Sequence, residues 1–333
     1  MKKTSKTPEA PEAAEASDAQ IFEYKDTAQR LIEMLKAGTA PWQRPWEPGE
    51  RNGFMPYNPS TGKRYSGINA VFLMMAGFED TRWLTFKQAL AMDACVKKGA
   101  KGTKIQFWTH HKLITKKDED GKPVKDKLGN LVKVKIWLPK PLVKSAWVFN
   151  ADQIDGLPER VVTPAPEAGW AQIDRIEAII QASGAKIIES GKGEAYYSPG
   201  PDHIHMPYES MFKEATYYYA TKLHELAHWT GHRSRLNRLS MDEFGSPGYA
   251  REELRAEIAS MIIGDELGLG HDPEDHASYV GDWIKVLESD PEEIYRAAAD
   301  AEKISRFIFE LEKKLENELG EQEPEEDTEF SPS

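Results

Sequence analysis

Apolar residues recur at helical spacing at Ile21, Tyr24, Ala28, Leu31, Ile32 and Leu35, with Gly38 just beyond, so a first helix is expected over about 21–35. Two more helical stretches are expected at Ile68 to Ala76 and at Thr85 to Lys97, the second with Thr85 as its N-cap. The period then changes. Residues 105–109, 131–136 and 146–149 read as strands, and the first two flank a Lys/Asp/Gly-rich stretch typical of a long surface hairpin. Past the Pro-rich stretch 156–166, helical spacing returns from Trp170 to about Ala182. Short strands follow at 186–189, 195–197 and 203–206, then a long helix from about Ser210 to Trp229. A further helix begins near Tyr249, with Leu254, Ile258, Met261 and Ile262 on its core side. The expected fold is α+β in two domains: an N-terminal α+β domain over 21–157, a linker at 158–167, and a mostly helical domain with a small sheet over 168–314. Residues 1–20 and 315–333 are too polar to support a core and are expected to be disordered tails, the second one acidic.

Composition removes several function classes. With 40% hydrophobic and 29% charged residues and no apolar run near the length that spans a bilayer, the chain does not read as a membrane protein. After Lys2 and Lys3 no apolar segment resembles a secretory signal, and a cytoplasmic location is expected. The single cysteine, Cys95, can form no internal disulfide and is expected to be a reduced helix residue without a chemical role. The net charge of −12 conceals an asymmetry: residues 21–150 hold 23 Lys and Arg against 12 Asp and Glu, and the remainder holds 20 against 43. Such a split is the footprint of one module that binds a polyanion and one that does not.

The strongest chemical signal is His224-Glu225-Leu226-Ala227-His228 on the predicted long helix. Residues four apart share a helix face, so both imidazoles reach one ion, while Glu225 sits where it contacts the ion's water instead. Zinc with three protein ligands and one open position lowers the pKa of that water to about 7, and a carboxylate can then take its proton and pass it to a leaving amine. A histidine six residues beyond His228 would mark the metzincin class, but Ser234 stands there. The third ligand is instead sought among Glu253 and Glu257, which share a face of the helix from Tyr249. Glu253 is assigned as the ligand and Glu257 as the residue that holds a ligand histidine in its working tautomer, giving a gluzincin-like set. One divalent ion is expected, Zn2+ first and Mn2+ or Co2+ as alternatives. Tyr249, His203 and His205 are candidates for stabilising an oxyanion, and the strand 202–206 for an edge on which a peptide substrate adds.

The basic half interleaves aromatic and cationic residues: Trp42, Arg44, Trp46, Tyr57, Lys63, Arg64, Tyr65, Asn69, Arg82, Trp83, Lys98, Lys101, Lys104 and Trp108 are its candidate nucleic-acid contacts. Rings stack on bases while Lys and Arg neutralise phosphates without reading sequence, a mixture suited to single-stranded DNA.

Pro41-Trp42, Pro56-Tyr57-Asn58-Pro59, Tyr65-Ser66-Gly67-Ile68-Asn69, Arg82-Trp83-Leu84-Thr85 and Lys98-Gly99-Ala100-Lys101-Gly102 resemble the N-terminal domain shared by ArdC-type antirestriction proteins and TraC-type primases. In the second half, Ala195-Tyr196-Tyr197, Asp202-His203-Ile204, the stretch from His224 to His232, Arg235-Leu236 and the stretch from Glu252 to Glu257 resemble the zincin-like metallopeptidase domain of the same antirestriction family. The resemblance covers about residues 21–310. It implies a single-stranded DNA-binding domain, a metallopeptidase-like domain, and a role in protecting transferred plasmid DNA from host restriction. The expected partners are single-stranded DNA and a protein substrate, a restriction enzyme or a DNA-associated protein. The rival expectation is a non-catalytic protein that protects DNA by occupying it, with the metal domain serving as a folding unit or interaction surface.

Overall fold

The first amphipathic stretch forms helix α1 (Asp18–Lys36), and its apolar face finds its partners late in the chain. Leu31, Ile32 and Leu35 join one large core with Trp42, Trp283, Leu287 and the apolar faces of the C-terminal helices. Trp42 and Trp283 meet edge to face, with ring centroids 6.3 Å apart. The computed structural model describes residues 18–43, 54–118, 120–160, 170–239, 245–269 and 278–320. The linker expected at 158–167 falls largely outside these residues, as do the tail 1–17 and residues 321–333.

The N-terminal half then alternates short elements: β1 (Tyr57–Asn58), β2 (Lys63–Arg64), α2 (Ile68–Met74), β3 (Trp83–Thr85), α3 (Phe86–Ala91) and β4 (Cys95–Val96). Thr85 caps α3 as expected, in a reciprocal box with Gln88. The helix expected to reach Lys97 instead ends at Ala91, because Asp93 adopts φ 56°, a left-handed conformation that no helix continues through. Cys95 is therefore an exposed strand residue, not a helical one.

Two long strands follow, β5 (Thr103–Thr115) and β6 (Lys133–Asn150), and they form a three-stranded sheet in the order β3-β6-β5. The two strands expected at 131–136 and 146–149 are one strand. Pro139 and Pro141 read as a break, but they sit where the β5–β6 register shifts between Thr109 and His111, an irregularity that tolerates a residue without an N–H. A short strand β7 (Ile154–Asp155) pairs with β4.

The C-terminal half carries α4 (Trp170–Ser183), β8 (Lys186–Ser190), β9 (Tyr196–Ser198), β10 (His203–Pro207) and four helices: α5 (Ala215–Trp229), α6 (Pro247–Leu267), α7 (Val280–Ser289) and α8 (Glu293–Gly320). Helix α5 begins five residues later than expected, after a 3-10 turn at 209–211. Helix α8 continues through Leu315 to Gly320, so the start of the expected tail is helical. Strand β10 is the centre of its sheet, parallel to β8 and antiparallel to β9. Both of its hydrogen-bonding edges are used, which overturns the expectation that 202–206 offers an edge to a peptide. The edges belong to β8 and β9.

The architecture is α+β in two domains, and the domains are tied by more than apolar contact. Arg64 forms two hydrogen bonds of 2.8 Å with Glu302 on α8, and Glu302 also accepts the Gly67 N–H. Asp265 on α6 accepts the backbone N–H groups of Phe54 and Met55.

Candidate metal centre

Helices α5 and α6 pack side by side, and the site lies between them. On α5, His224 and His228 stand one turn apart with their rings nearly perpendicular, and their Nε2 atoms face each other at 3.2 Å. On α6, Glu253 reaches both: one carboxylate oxygen is 3.5 Å from His228 Nε2 and the other 3.6 Å from His224 Nε2. All three residues are buried, and they are the group among the described residues that can hold a metal ion. Ligand atoms about 2.0–2.1 Å from a common centre in a tetrahedral arrangement stand roughly 3.3 Å from one another. The observed spacings approach that value.

Each histidine is held from behind, through Nδ1. His224 Nδ1 lies 3.3 Å from Ser260 Oγ and 3.8 Å from a Glu257 carboxylate oxygen. His228 Nδ1 lies 3.3 Å from Glu252 Oε1. A carboxylate at Nδ1 keeps the proton there and leaves Nε2 free to ligate. Glu257 thus stands behind His224; the sequence reading gave it to a ligand histidine without saying which, and did not single out Glu252, which faces His228. Glu252 is gripped by Arg238, whose guanidinium donates to both carboxylate oxygens at 2.8 and 3.1 Å and also to Thr230 Oγ1 and the Ala227 carbonyl. Arg238 is the signal that points to Glu252, yet it acts only because the turn after α5 folds back. Replacing Glu252 with alanine is expected to weaken divalent-ion binding at the site by about 10- to 100-fold, read by titration of the purified protein with the ion. Unchanged affinity would mean that His228 is oriented by something else.

Glu225 is buried beside the two histidines. Burial pushes its carboxyl up, while His228 and His224 pull it down and the Tyr197 backbone N–H donates to it. Burial also works to raise the Glu253 carboxyl, but His228 and His224 hold it well below the usual carboxylate range. The same attraction overcomes the burial that opposes protonation of His228 and raises it well above an ordinary histidine. The pocket therefore favours positive charge at the point where the three groups converge.

Tyr249 stands at the rim, its hydroxyl 3.2 Å from that of Tyr279 and bonded to Glu253. Burial and the Glu253 charge push both phenols up, so each remains a neutral donor. Tyr279 was not singled out in the sequence, because nothing in its spacing relates it to the histidines. His205 is spoken for: its ring nitrogens lie 2.8 Å from Ser190 Oγ and from the Glu194 carbonyl, and it stacks on Tyr196, leaving it a sheet residue and not an oxyanion donor. His203 contacts the same tyrosine ring. The far end of α5 is fastened by Arg235, which lies on the Trp229 ring at 3.7 Å and pairs with Asp202. That pairing holds the Asp202 carboxyl at about 2.

The candidate DNA contacts divide sharply. Trp42 and Trp83 are 0% and 2% exposed, so neither ring is available to a base; burying an indole against other aromatics takes precedence over its use at the surface. Arg64 is committed to Glu302 and Arg82 to Asp80. Asn69 clamps the Gln106 backbone through both its amide atoms, and Tyr65 donates to the Trp83 carbonyl. Tyr57 is half-buried, whereas Lys63, Lys98, Lys101, Lys104 and Trp108 are exposed. Arg44 and Trp46 lie outside the described residues.

Comparison with known proteins extends these observations. Residues 22–149 match the N-terminal domain of anti-restriction factor ArdC, and residues 174–300 match the zincin-like metallopeptidase family. The chain is 57% identical over 292 residues to a DNA primase TraC of Escherichia coli, an alignment covering 87% of this chain but 27% of that protein. It thus spans about a quarter of the length of that relative. Over 292 residues it is 31% identical to the uncharacterized protein y4eC of Sinorhizobium fredii, covering 86% of this chain and 91% of the other. Among solved structures, the antirestriction ArdC protein from the R388 plasmid matches in its metal-free form with TM-score 0.67 and 35% identity, covering 87% of this chain and 98% of that one. Its Mn(II)-bound form matches with TM-score 0.66 and 36% identity, covering 87% and 97%.

Proposed function

The chain belongs to the ArdC family of antirestriction proteins, and from that premise we propose that it binds single-stranded DNA and carries a metal-dependent peptidase site that protects incoming plasmid DNA from host restriction. The observation that carries the catalytic part is the convergence of His224 Nε2, His228 Nε2 and the Glu253 carboxylate, with two imidazole nitrogens 3.2 Å apart. Two imidazole nitrogens and a carboxylate converging on one buried point are the donor set that a divalent cation takes. The Mn(II)-bound form of the R388 ArdC protein supports a divalent ion in this chain too, and nitrogen and oxygen donors in this number suit Zn2+ as well as Mn2+ or Co2+.

An ion held by His224, His228 and Glu253 supplies a Lewis acid that makes water a usable nucleophile near neutral pH. The remaining work falls to the chain's own side chains. Glu225, oriented by the Tyr197 N–H, takes the proton from the attacking water and returns it to the leaving amine. Tyr249 and Tyr279, kept protonated, are donors for the negative charge that develops on the substrate oxygen. Strand β9, on the rim of the sheet and bonded to Glu225, is the edge at which an extended peptide can add. The protein substrate is a restriction enzyme or another protein bound to the DNA, and the setting is the cytoplasm. Among the described residues no helix is long and apolar enough to cross a membrane.

A transfer assay into a restricting host tests the reading with Glu225→Gln. Lost protection in a variant that still binds metal supports hydrolysis as the cause. Full protection would instead favour a protein that shields DNA by occupying it.

A further inference from the structure

The positive charge of the N-terminal half is concentrated on one element. The 48 residues of Thr103 to Asn150, which comprise β5, β6 and the turns between them, contain eleven lysines, no arginine and four acidic residues. Over the same stretch three indoles are open to solvent: Trp108 is 47% exposed, Trp147 59% and Trp137 68%. By contrast Trp42, Trp83, Trp229 and Trp283 are all buried.

Register arranges the two residue types together. Lys104 is the cross-strand partner of Trp147, and past the register shift the Lys135 ammonium lies 4.8 Å from the Trp137 ring centroid; Lys144 pairs with Phe107 on the face that carries Ile105. Ile105, Ala146 and Val148 face the small core beneath the sheet, so alternation puts Lys104, Trp108 and Trp147 on the opposite face. Lysines on an edge strand guard against edge-to-edge pairing, but that task does not call for exposed indoles beside them. Large exposed rings mark a surface that something covers. A second copy of this chain would set eleven lysines against eleven more, whereas a polyanion with flat apolar faces satisfies both features at once.

We propose that the β5–β6 ribbon is the surface on which single-stranded DNA lies, its bases stacking on Trp108 and Trp147 on one face and on Trp137 past the register shift, and its phosphates neutralised by the flanking lysines. The inference rests on the DNA-binding reading above and relocates it. Of the residues first expected to touch DNA, only Lys104 and Trp108 belong to the ribbon, while Trp42 and Trp83 are replaced by indoles further along the chain. The absence of arginine from the ribbon removes the forked donor that reads guanine, so binding there is tolerant of sequence.

The test uses the full chain with a fluorescein-labelled oligo(dT), by anisotropy over a salt series. Trp108→Ala, Trp147→Ala and Trp137→Ala are each expected to weaken binding at least about 5-fold. Because these rings are exposed, the melting temperature should not change. Lys104→Gln and Lys135→Gln should each reduce the slope of log K against log salt by about 0.7. Tryptophan variants that bind oligo(dT) as tightly as a binding-competent wild type would overturn the ribbon while leaving DNA binding intact. So would a ribbon whose indole variants lose nothing while heparin competes fully, which would mark a plain polyanion patch. A wild type that binds neither single strands nor duplex would defeat the underlying reading, and the ribbon with it.

Discussion

Purified Glu225→Gln is expected to retain one divalent ion per chain and to hydrolyse a quenched fluorescent peptide library about 10²- to 10⁴-fold more slowly than wild type. Glu225 is not among the three groups that converge at 3.2 to 3.6 Å, so metal retention does not need its charge. An amide of the same shape can still accept the Tyr197 N–H through its oxygen, which preserves the local fold. What it cannot do is carry a proton between water and amine. An unchanged rate would remove Glu225 from the mechanism. A rate that falls together with the metal content would mean that the residue holds the ion and is not the base.

The second large effect concerns Glu253. It supplies the negative charge of the donor set, and it also stabilises charge on His228. At a free-ion concentration of about 100 times Kd, binding contributes about 2.7 kcal/mol to stability, which in a domain of this size corresponds to a rise in Tm of roughly 5–10 °C. Wild type should show that rise with Mn2+ or Zn2+, and Glu253→Ala should lose it. Glu257→Gln is the informative companion. The Glu257 oxygen lies 3.8 Å from Nδ1 of His224, on the far side of the ring from Nε2, a place from which it can orient a ligand but not be one. Its variant should keep most of the metal-induced shift. If instead Glu257→Gln lost the shift and Glu253→Ala kept it, the assignment of the two carboxylates would be reversed.

These two carboxylates also show how far sequence reaches. The four-residue spacings His224 to His228 and Glu253 to Glu257 fix which side chains share a face, because helix geometry is local. What α6 packs against is not local. Arg251 and Arg255 lie within reach of these acids along the helix, but both turn to Glu293 at the start of α8, and Arg255 also to Asp300. The acids are left facing the histidines. Glu252 escaped notice for the complementary reason: its part depends on Arg238, delivered by a turn whose course no periodicity encodes.

The same limit explains the corrections in the N-terminal half. Interleaved aromatics and cations identify a candidate surface by composition, and composition does not say which rings are buried. Trp42 lies in a core completed by Trp283, 241 positions away, so its fate was invisible from its neighbours. The pairing of β10 on both sides, like the continuity of β6 through Pro139 and Pro141, is likewise a property of partner strands and not of the segment itself.

Metal content per chain, measured on wild type and His228→Ala prepared side by side and dialysed against one divalent ion, tests the central claim most directly. The account predicts about one ion per wild-type chain and essentially none in the variant, since removing one of three ligands leaves too few donors to hold it. Equal content in the two proteins, or none in either, would contradict a metal centre built from His224, His228 and Glu253.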